Sequence, residues 1–118
     1  MSRFLNLTLG ALLLSTTLAL AEDPEGSYAV RGTNPGKSGN YSGTVSVEKT
    51  GDTYRVVWNV GGTKYIGTGI GDARFMAVSY KSGNNTGLAM YVAKGDGWEG
   101  IWTYAGGEEL GTERWTRR

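Results

Sequence analysis

Polar and apolar residues alternate with a period of two along most of the chain, most regularly from Thr53 to Ile70. Tyr54, Val56, Trp58 and Val60 fall on one side of that stretch, and Arg55, Val57 and Asn59 on the other, as in a strand with one buried face. Gly61-Gly62 follows and supplies the positive φ angles of a two-residue hairpin turn. Such a turn sets register: Val60 faces Thr63, Trp58 faces Tyr65, Val56 faces Gly67 and Tyr54 faces Gly69. One face of the hairpin therefore interleaves large aromatics with glycines, as the inner wall of a tightly curved sheet does.

The same device recurs on both sides. Ser27–Thr33 groups Tyr28 with Val30, and Asn40–Lys49 sets Tyr41, Gly43, Val45 and Val47 against Ser42, Thr44, Ser46 and Glu48. Ala73–Lys81, Gly87–Lys94, Gly97–Ala105 and Leu110–Arg117 bring the count to eight short strands. Asn34–Gly39 and Ser82–Thr86 are loops dense in turn formers. The facing of the fifth strand depends on its turn. A tight Gly71-Asp72 turn puts Arg74, Met76, Val78 and Tyr80 inside, whereas a longer loop puts Phe75, Ala77 and Ser79 there. Sequential hairpins with no helical window predict an all-β, eight-stranded antiparallel up-and-down barrel. A barrel of that size is either filled by its side chains or has room for one small ligand.

The first 21 residues stand apart. Arg3 opens a short basic start, Phe4–Leu20 is apolar and small, and Ala19-Leu20-Ala21 has the small-x-small form of a cleavage site. Residues 1–21 are expected to be a secretory signal peptide, 22–26 a flexible lead-in and 27–118 a single domain, placed in the periplasm or outside the cell with no membrane span in its mature form. Without Arg3, 11 basic residues face 11 acidic ones, a net charge of zero that offers nucleic acid no electrostatic footprint. Four tryptophans and seven tyrosines in alternation separate this chain, despite its 20 glycines, from disordered low-complexity sequence.

The absence of histidine and cysteine changes the picture most. It removes Ser–His and Cys–His nucleophilic sites, thiol redox chemistry and the usual zinc sites. Glu108-Glu109 sits in a turn, and Asp52, Asp72 and Asp96 stand beside glycines without calcium-loop spacing. No enzymatic activity, cofactor or metal is expected. Three groups of residues remain as candidates. Tyr54, Trp58, Tyr65, Trp98, Trp102 and Tyr104 face inward by alternation, as core or as the lining of a pocket for a small apolar or aromatic ligand. Glu113 shares a face with Trp115; if that face is buried the carboxylate needs a partner, for which Arg74 is the candidate. Val57, Ile66 and Ile70, with Ile101, form a candidate apolar partner surface on the outside.

Ser27-Tyr-Ala-Val-Arg-Gly-Thr-Asn-Pro-Gly36, Tyr41-Ser-Gly-Thr-Val45, Tyr54-Arg-Val-Val-Trp58, Gly67-Thr-Gly-Ile70, Trp98-Glu-Gly-Ile-Trp-Thr-Tyr-Ala-Gly-Gly107 and Gly111-Thr-Glu-Arg-Trp115 carry a resemblance. Together they resemble a family of small exported alphaproteobacterial proteins commonly labelled fibronectin-binding protein. The similarity spans nearly the whole chain after residue 21 and transfers no site residues. More distantly the meander is similar to the avidin and lipocalin barrels. Their first strand carries Gly-x-Trp where this chain has Gly26-Ser-Tyr28, so biotin binding is not implied.

The expectation is a monomeric exported barrel that binds and does not catalyse. The resemblance implies a surface-interaction module for an extracellular or periplasmic protein. The aromatic interior suggests a small-molecule barrel instead, and the loops 34–39 and 82–86 suggest an inhibitor of a periplasmic hydrolase. A cavity of a few hundred Å³ lined by Trp58, Trp98 and Trp102 favours the second reading.

Overall fold

A computed structural model describes residues 23–118. The leader expected over residues 1–21 lies outside the described residues, as does Glu22. The eight strands are β1 (Gly26–Thr33), β2 (Asn40–Thr50), β3 (Thr53–Val60), β4 (Thr63–Gly71), β5 (Phe75–Ser82), β6 (Asn85–Lys94), β7 (Gly97–Tyr104) and β8 (Gly111–Arg117). Each pairs antiparallel with the next, and β8 pairs with β1 to close the barrel. The only helical piece among the described residues is a single 3₁₀ turn, Pro35–Lys37, between β1 and β2. No described helix is long and apolar enough to cross a membrane.

The β3–β4 hairpin has the register that its turn dictates, Trp58 opposite Tyr65, Val56 opposite Gly67 and Tyr54 opposite Gly69. The fifth strand resolves in favour of Met76, Val78 and Tyr80 inside. Arg74 does not follow them. Asp72 accepts the backbone N–H groups of Arg74 and Phe75 through Oδ1 and makes the connection a three-residue turn, so β5 begins only at Phe75. Arg74 is left beyond the end of the barrel, its side chain 87% exposed and paired with Asp72. The predicted Arg74–Glu113 ion pair is therefore absent. The Ser82–Thr86 loop also shrinks, to Gly83-Asn84, because β6 starts at Asn85.

Inward glycines give the aromatics their space. Across four strand pairs an inward glycine stands directly opposite an inward ring: Gly32 with Tyr41, Gly87 with Tyr80, Gly100 with Tyr91 and Gly111 with Trp102. In each pair a Cβ built on the glycine would collide with the ring opposite, so the ring lies flat over the glycine. Large side chains thus cross the barrel at low cost in wall space.

The two ends of the barrel differ. The start of β1, the end of β8 and the turns after β2, β4 and β6 lie at one end, which is filled. Tyr28, Val47, Tyr54, Met76, Tyr91, Trp98 and Trp115 are all buried there or just above. The Trp115 ring packs against Tyr28, Tyr91 and Trp58, with centroids 5.3, 4.4 and 6.2 Å away. Residues 23–25, within the stretch expected to be a flexible lead-in, make hydrogen bonds across this end. Pro24 is fully buried and its carbonyl accepts the Tyr28 hydroxyl at 2.6 Å. The Arg117 guanidinium, 4.7 Å over the Tyr28 ring, donates to the carbonyls of Glu25 and Asp23.

On the outer wall Val57 is only 9% exposed and drops out of the expected patch, whereas Ile66 and Ile70 are exposed at 41% and 60%. An apolar row that shares Ile70 and Ile101 with the expected surface runs through Ile70, Ala77, Met90 and Ile101 in register across β4 to β7.

If aromatic-over-glycine seating holds the wall, Gly100→Val destabilises the barrel by about 1–3 kcal/mol in urea unfolding, since the new side chain meets both the Tyr91 ring and the Met90 carbonyl. A variant as stable as the parent contradicts that role.

Candidate ligand cavity

The other end of the barrel is hollow. Its cavity, about 290 Å³ and open to solvent, is lined by Trp58, Val60, Tyr65, Tyr80, Trp102 and Tyr104, with Asn34 and Asn85 at the loops and Tyr41, Tyr91 and Glu113 towards the middle. Every strand except β1 contributes through its inward register: Tyr41 from β2, Trp58 and Val60 from β3, Tyr65 from β4, Tyr80 from β5. Tyr91 comes from β6, Trp102 and Tyr104 from β7, and Glu113 from β8.

Glu113 is buried and carries no ion pair among the described residues. Its carboxylate is satisfied by neutral donors alone. Oε1 accepts the Tyr91 hydroxyl at 2.7 Å and the indole N–H groups of Trp115 and Trp58 at 2.9 and 3.1 Å. Oε2 accepts the Tyr41 hydroxyl at 2.6 Å. An indole N–H can only donate, so the set suits an ionised, acceptor-only carboxylate. Oε1 is saturated, while Oε2 holds one partner among the described residues and keeps acceptor capacity.

Glycine explains how two phenols reach one carboxylate. Glu113 stands opposite Gly32 on β1 and opposite Gly100 on β7. Tyr41 stands opposite Gly32 from the far side, and Tyr91 opposite Gly100. The row Tyr41–Gly32–Glu113–Gly100–Tyr91 thus runs across five strands. Each phenol lies over its glycine and spans the two inter-strand steps of about 4.8 Å to the carboxylate.

Burial and this carboxylate hold three phenols in their neutral form. The Tyr91 hydroxyl is pushed well above its ordinary value of 10.0 by burial first, then by the negative charge and hydrogen bond of Glu113. Tyr41 is raised for the same reasons, opposed in part by the indole N–H of Trp102. Tyr80 is raised by burial and by the neighbouring Tyr104 and Glu113. Trp102 Nε1 is buried and makes no hydrogen bond of its own.

The rings above the carboxylate stand nearly perpendicular to one another. Tyr80 meets Trp58, Tyr65 and Trp102 at 60°, 77° and 72°, with centroids 5.8, 6.2 and 6.2 Å away. Trp102 meets Tyr104 at 86° and Tyr41 at 72°. Perpendicular neighbours build the sides of a box.

Of the six aromatics predicted from alternation, Trp58, Tyr65, Trp102 and Tyr104 line the cavity. Tyr54 and Trp98 belong to the filled end, at 3% and 2% exposure. Alternation assigns a side of the strand but not a height along the barrel, which separates these two from the rest. Glu113 is buried as its face required, with Tyr41, Trp58, Tyr91 and Trp115 in place of Arg74. Tyr41, Tyr80 and Tyr91 carry the site without having been singled out, although the cross-strand pairing of aromatic with glycine was a signal in the sequence. Comparisons with family models, with curated proteins and with solved structures find no match for this chain.

Replacing Glu113 tests the network. In Glu113→Gln the amide oxygen keeps the indoles and Tyr91 while its nitrogen turns to Tyr41, at an expected cost of about 1–2 kcal/mol. Glu113→Leu strands two indole donors and costs about 3 kcal/mol or more in the same urea titration. Equal losses for the two variants would argue against hydrogen bonding as the reason for the glutamate.

The raised phenols give a pH dependence of definite sign. Well below pH 10.0 they are protonated in both folded and unfolded chains, and their stabilisation is complete. Above it the unfolded chain ionises first, so stability falls as pH rises. Unfolding midpoints should decline beyond that point. Full tyrosinate absorbance near pH 10 with intact near-ultraviolet dichroism would be incompatible with this.

Proposed function

We propose that the protein is an exported, non-enzymatic barrel that binds a small molecule in its open end. One observation carries the reading: a barrel with a solid aromatic core at one end keeps a hollow of about 290 Å³ at the other. A barrel of eight strands can be filled throughout, so hollowness confined to one end is a property of this sequence. The lining supports it, being mostly aromatic with a few convergent polar groups, as small-molecule sites are. Its volume lies at the small end of such sites and suits a compact ligand. Catalysis is disfavoured by the inventory, since the chain has no histidine or cysteine and Glu113 is held by four donors. The export rests on the leader pattern of residues 1–21 alone.

A second reading, the surface-interaction module implied by the resemblance to fibronectin-binding-labelled proteins, draws on the outer wall. Ile70, Met90 and Ile101 are 60%, 46% and 44% exposed in one row, beside a shallow hollow of about 750 Å³ that includes Phe75 and Val92. Contiguous exposed apolar surface of this kind fits a protein partner. The two readings occupy different faces of the barrel and predict different residues.

Tryptophan indole N–H resonances separate them, because the chain's four tryptophans divide between the two ends. Phenol, toluene, choline and benzoate, titrated singly, should include at least one compound that shifts Trp58 and Trp102 while leaving Trp98 in place. Val60→Trp, which fills the mouth, should abolish that response. No shift with any of the four, or shifts that persist in Val60→Trp, would remove the cavity as the binding site.

A further inference from the structure

We infer that the cavity selects a compact organic ammonium ion, held by its aromatic box above the Glu113 carboxylate. The inference rests on the cavity being a ligand site and names the class of ligand it takes.

The charge balance decides first. No lysine or arginine lines the cavity, and the chain contains no histidine. The described ion pairs, Arg74–Asp72, Lys94–Glu99 and Arg114–Glu99, all lie on the exposed surface. Glu113 is the one formally charged residue of the lining. Its four donors are neutral, so they solvate the charge without cancelling it. The field reaches the walls, for Glu113 contributes to the raised phenols of both Tyr41 and Tyr80. An anion entering this space meets an unopposed carboxylate and phenol oxygens. A cation meets the charge complement.

Ring geometry decides next. Aromatic faces carry the negative side of the ring quadrupole and attract cations, and boxes of such rings recognise alkylammonium groups. Trp58, Tyr65, Tyr80, Trp102 and Tyr104 enclose the space at interplanar angles of 60° to 86°, so faces are presented in several directions. A solely apolar ligand would explain the rings but not the carboxylate beneath them. A polar neutral ligand would explain the acceptor at Oε2 but not the uncancelled charge. The ammonium ion accounts for both. A quaternary head uses the ring faces and the field, while a primary head can also donate to Oε2.

The test compares choline, butylammonium and the neutral carbon isostere of choline, in which carbon replaces the quaternary nitrogen. Indole resonances of Trp58 and Trp102 report binding. Choline or butylammonium should bind at least about tenfold more tightly than the isostere. Glu113→Gln, with its fold checked by near-ultraviolet dichroism, should weaken the ammonium ion about tenfold and leave the isostere unchanged. Tyr65→Leu, at the part-exposed mouth, keeps apolar bulk but loses a ring face, and should weaken the ammonium ion by about 3- to 30-fold. Should Glu113→Gln not fold, Tyr65→Leu decides. Choline tighter than butylammonium assigns a quaternary ligand, and the reverse a primary one. Equal binding of the isostere, or an ammonium affinity indifferent to the folded variants, overturns the inference while the cavity remains a ligand site. Failure of all three compounds beside a positive response to phenol or toluene does the same. Silence from every compound removes the cavity reading itself.

Discussion

A single carboxylate ties this barrel together across its interior. Glu113 on β8 receives hydrogen bonds from β2, β3 and β6 as well as from its own strand, through Tyr41, Trp58, Tyr91 and Trp115. The backbone ladder joins each strand only to its two neighbours. Side chains must therefore specify which strands face one another across the middle, and apolar packing alone does so loosely. A charged acceptor whose donors come from three other strands is far less forgiving, because every displaced donor is left buried and unsatisfied. Among the described residues no lysine or arginine pairs with Glu113, which leaves its field available to the space above.

Glycine makes that constraint affordable. A carboxylate flanked in register by Gly32 and Gly100 has open wall on both sides, over which Tyr41 and Tyr91 lie. The same arithmetic seats Tyr80 over Gly87 and Trp102 over Gly111 in the hollow half. Each ring is positioned by its backbone register and by a missing Cβ opposite, so the aromatic box is built on strands and does not depend on loop conformation. Outside the strands only Asn34 contributes to the cavity.

How much of this was legible in the sequence follows from what each signal measures. Alternation and two-residue turns report side of strand and register, and they placed the β3–β4 hairpin and the aromatic–glycine faces correctly. They left β5 open between two facings, of which Met76, Val78 and Tyr80 inward is the one formed, and its extension to Arg74 fails because the side-chain hydrogen bonds of Asp72 reset the backbone before the strand begins. They cannot report height along the barrel axis, so Trp98 and Trp102 looked equivalent although one belongs to the plug and the other to the cavity. Glu113 was conspicuous as a carboxylate on an aromatic face. Its partners were missed because a buried charge suggests a counter-ion, whereas phenols and indoles from distant strands meet it only once the sheet has closed.

The filled end accounts for how the hollow end can persist. Small barrels bury little surface for their size, so an empty half is a loss of packing that the remainder must offset. Here Trp98, Trp115, Tyr28 and Tyr91 concentrate nearly fully buried bulk in the other half, with Pro24 as a fitted lid and Arg117 fastening the lead-in over it. Tyr91 and Trp115 belong to both halves, packing ring on ring at 4.4 Å below while donating to Glu113 above. The carboxylate thus sits where core ends and cavity begins. Two of its donors, Tyr91 and Trp115, are anchored in the plug and the other two, Tyr41 and Trp58, line the cavity, so the feature that fixes the fold and the feature that suits a cation are the same group.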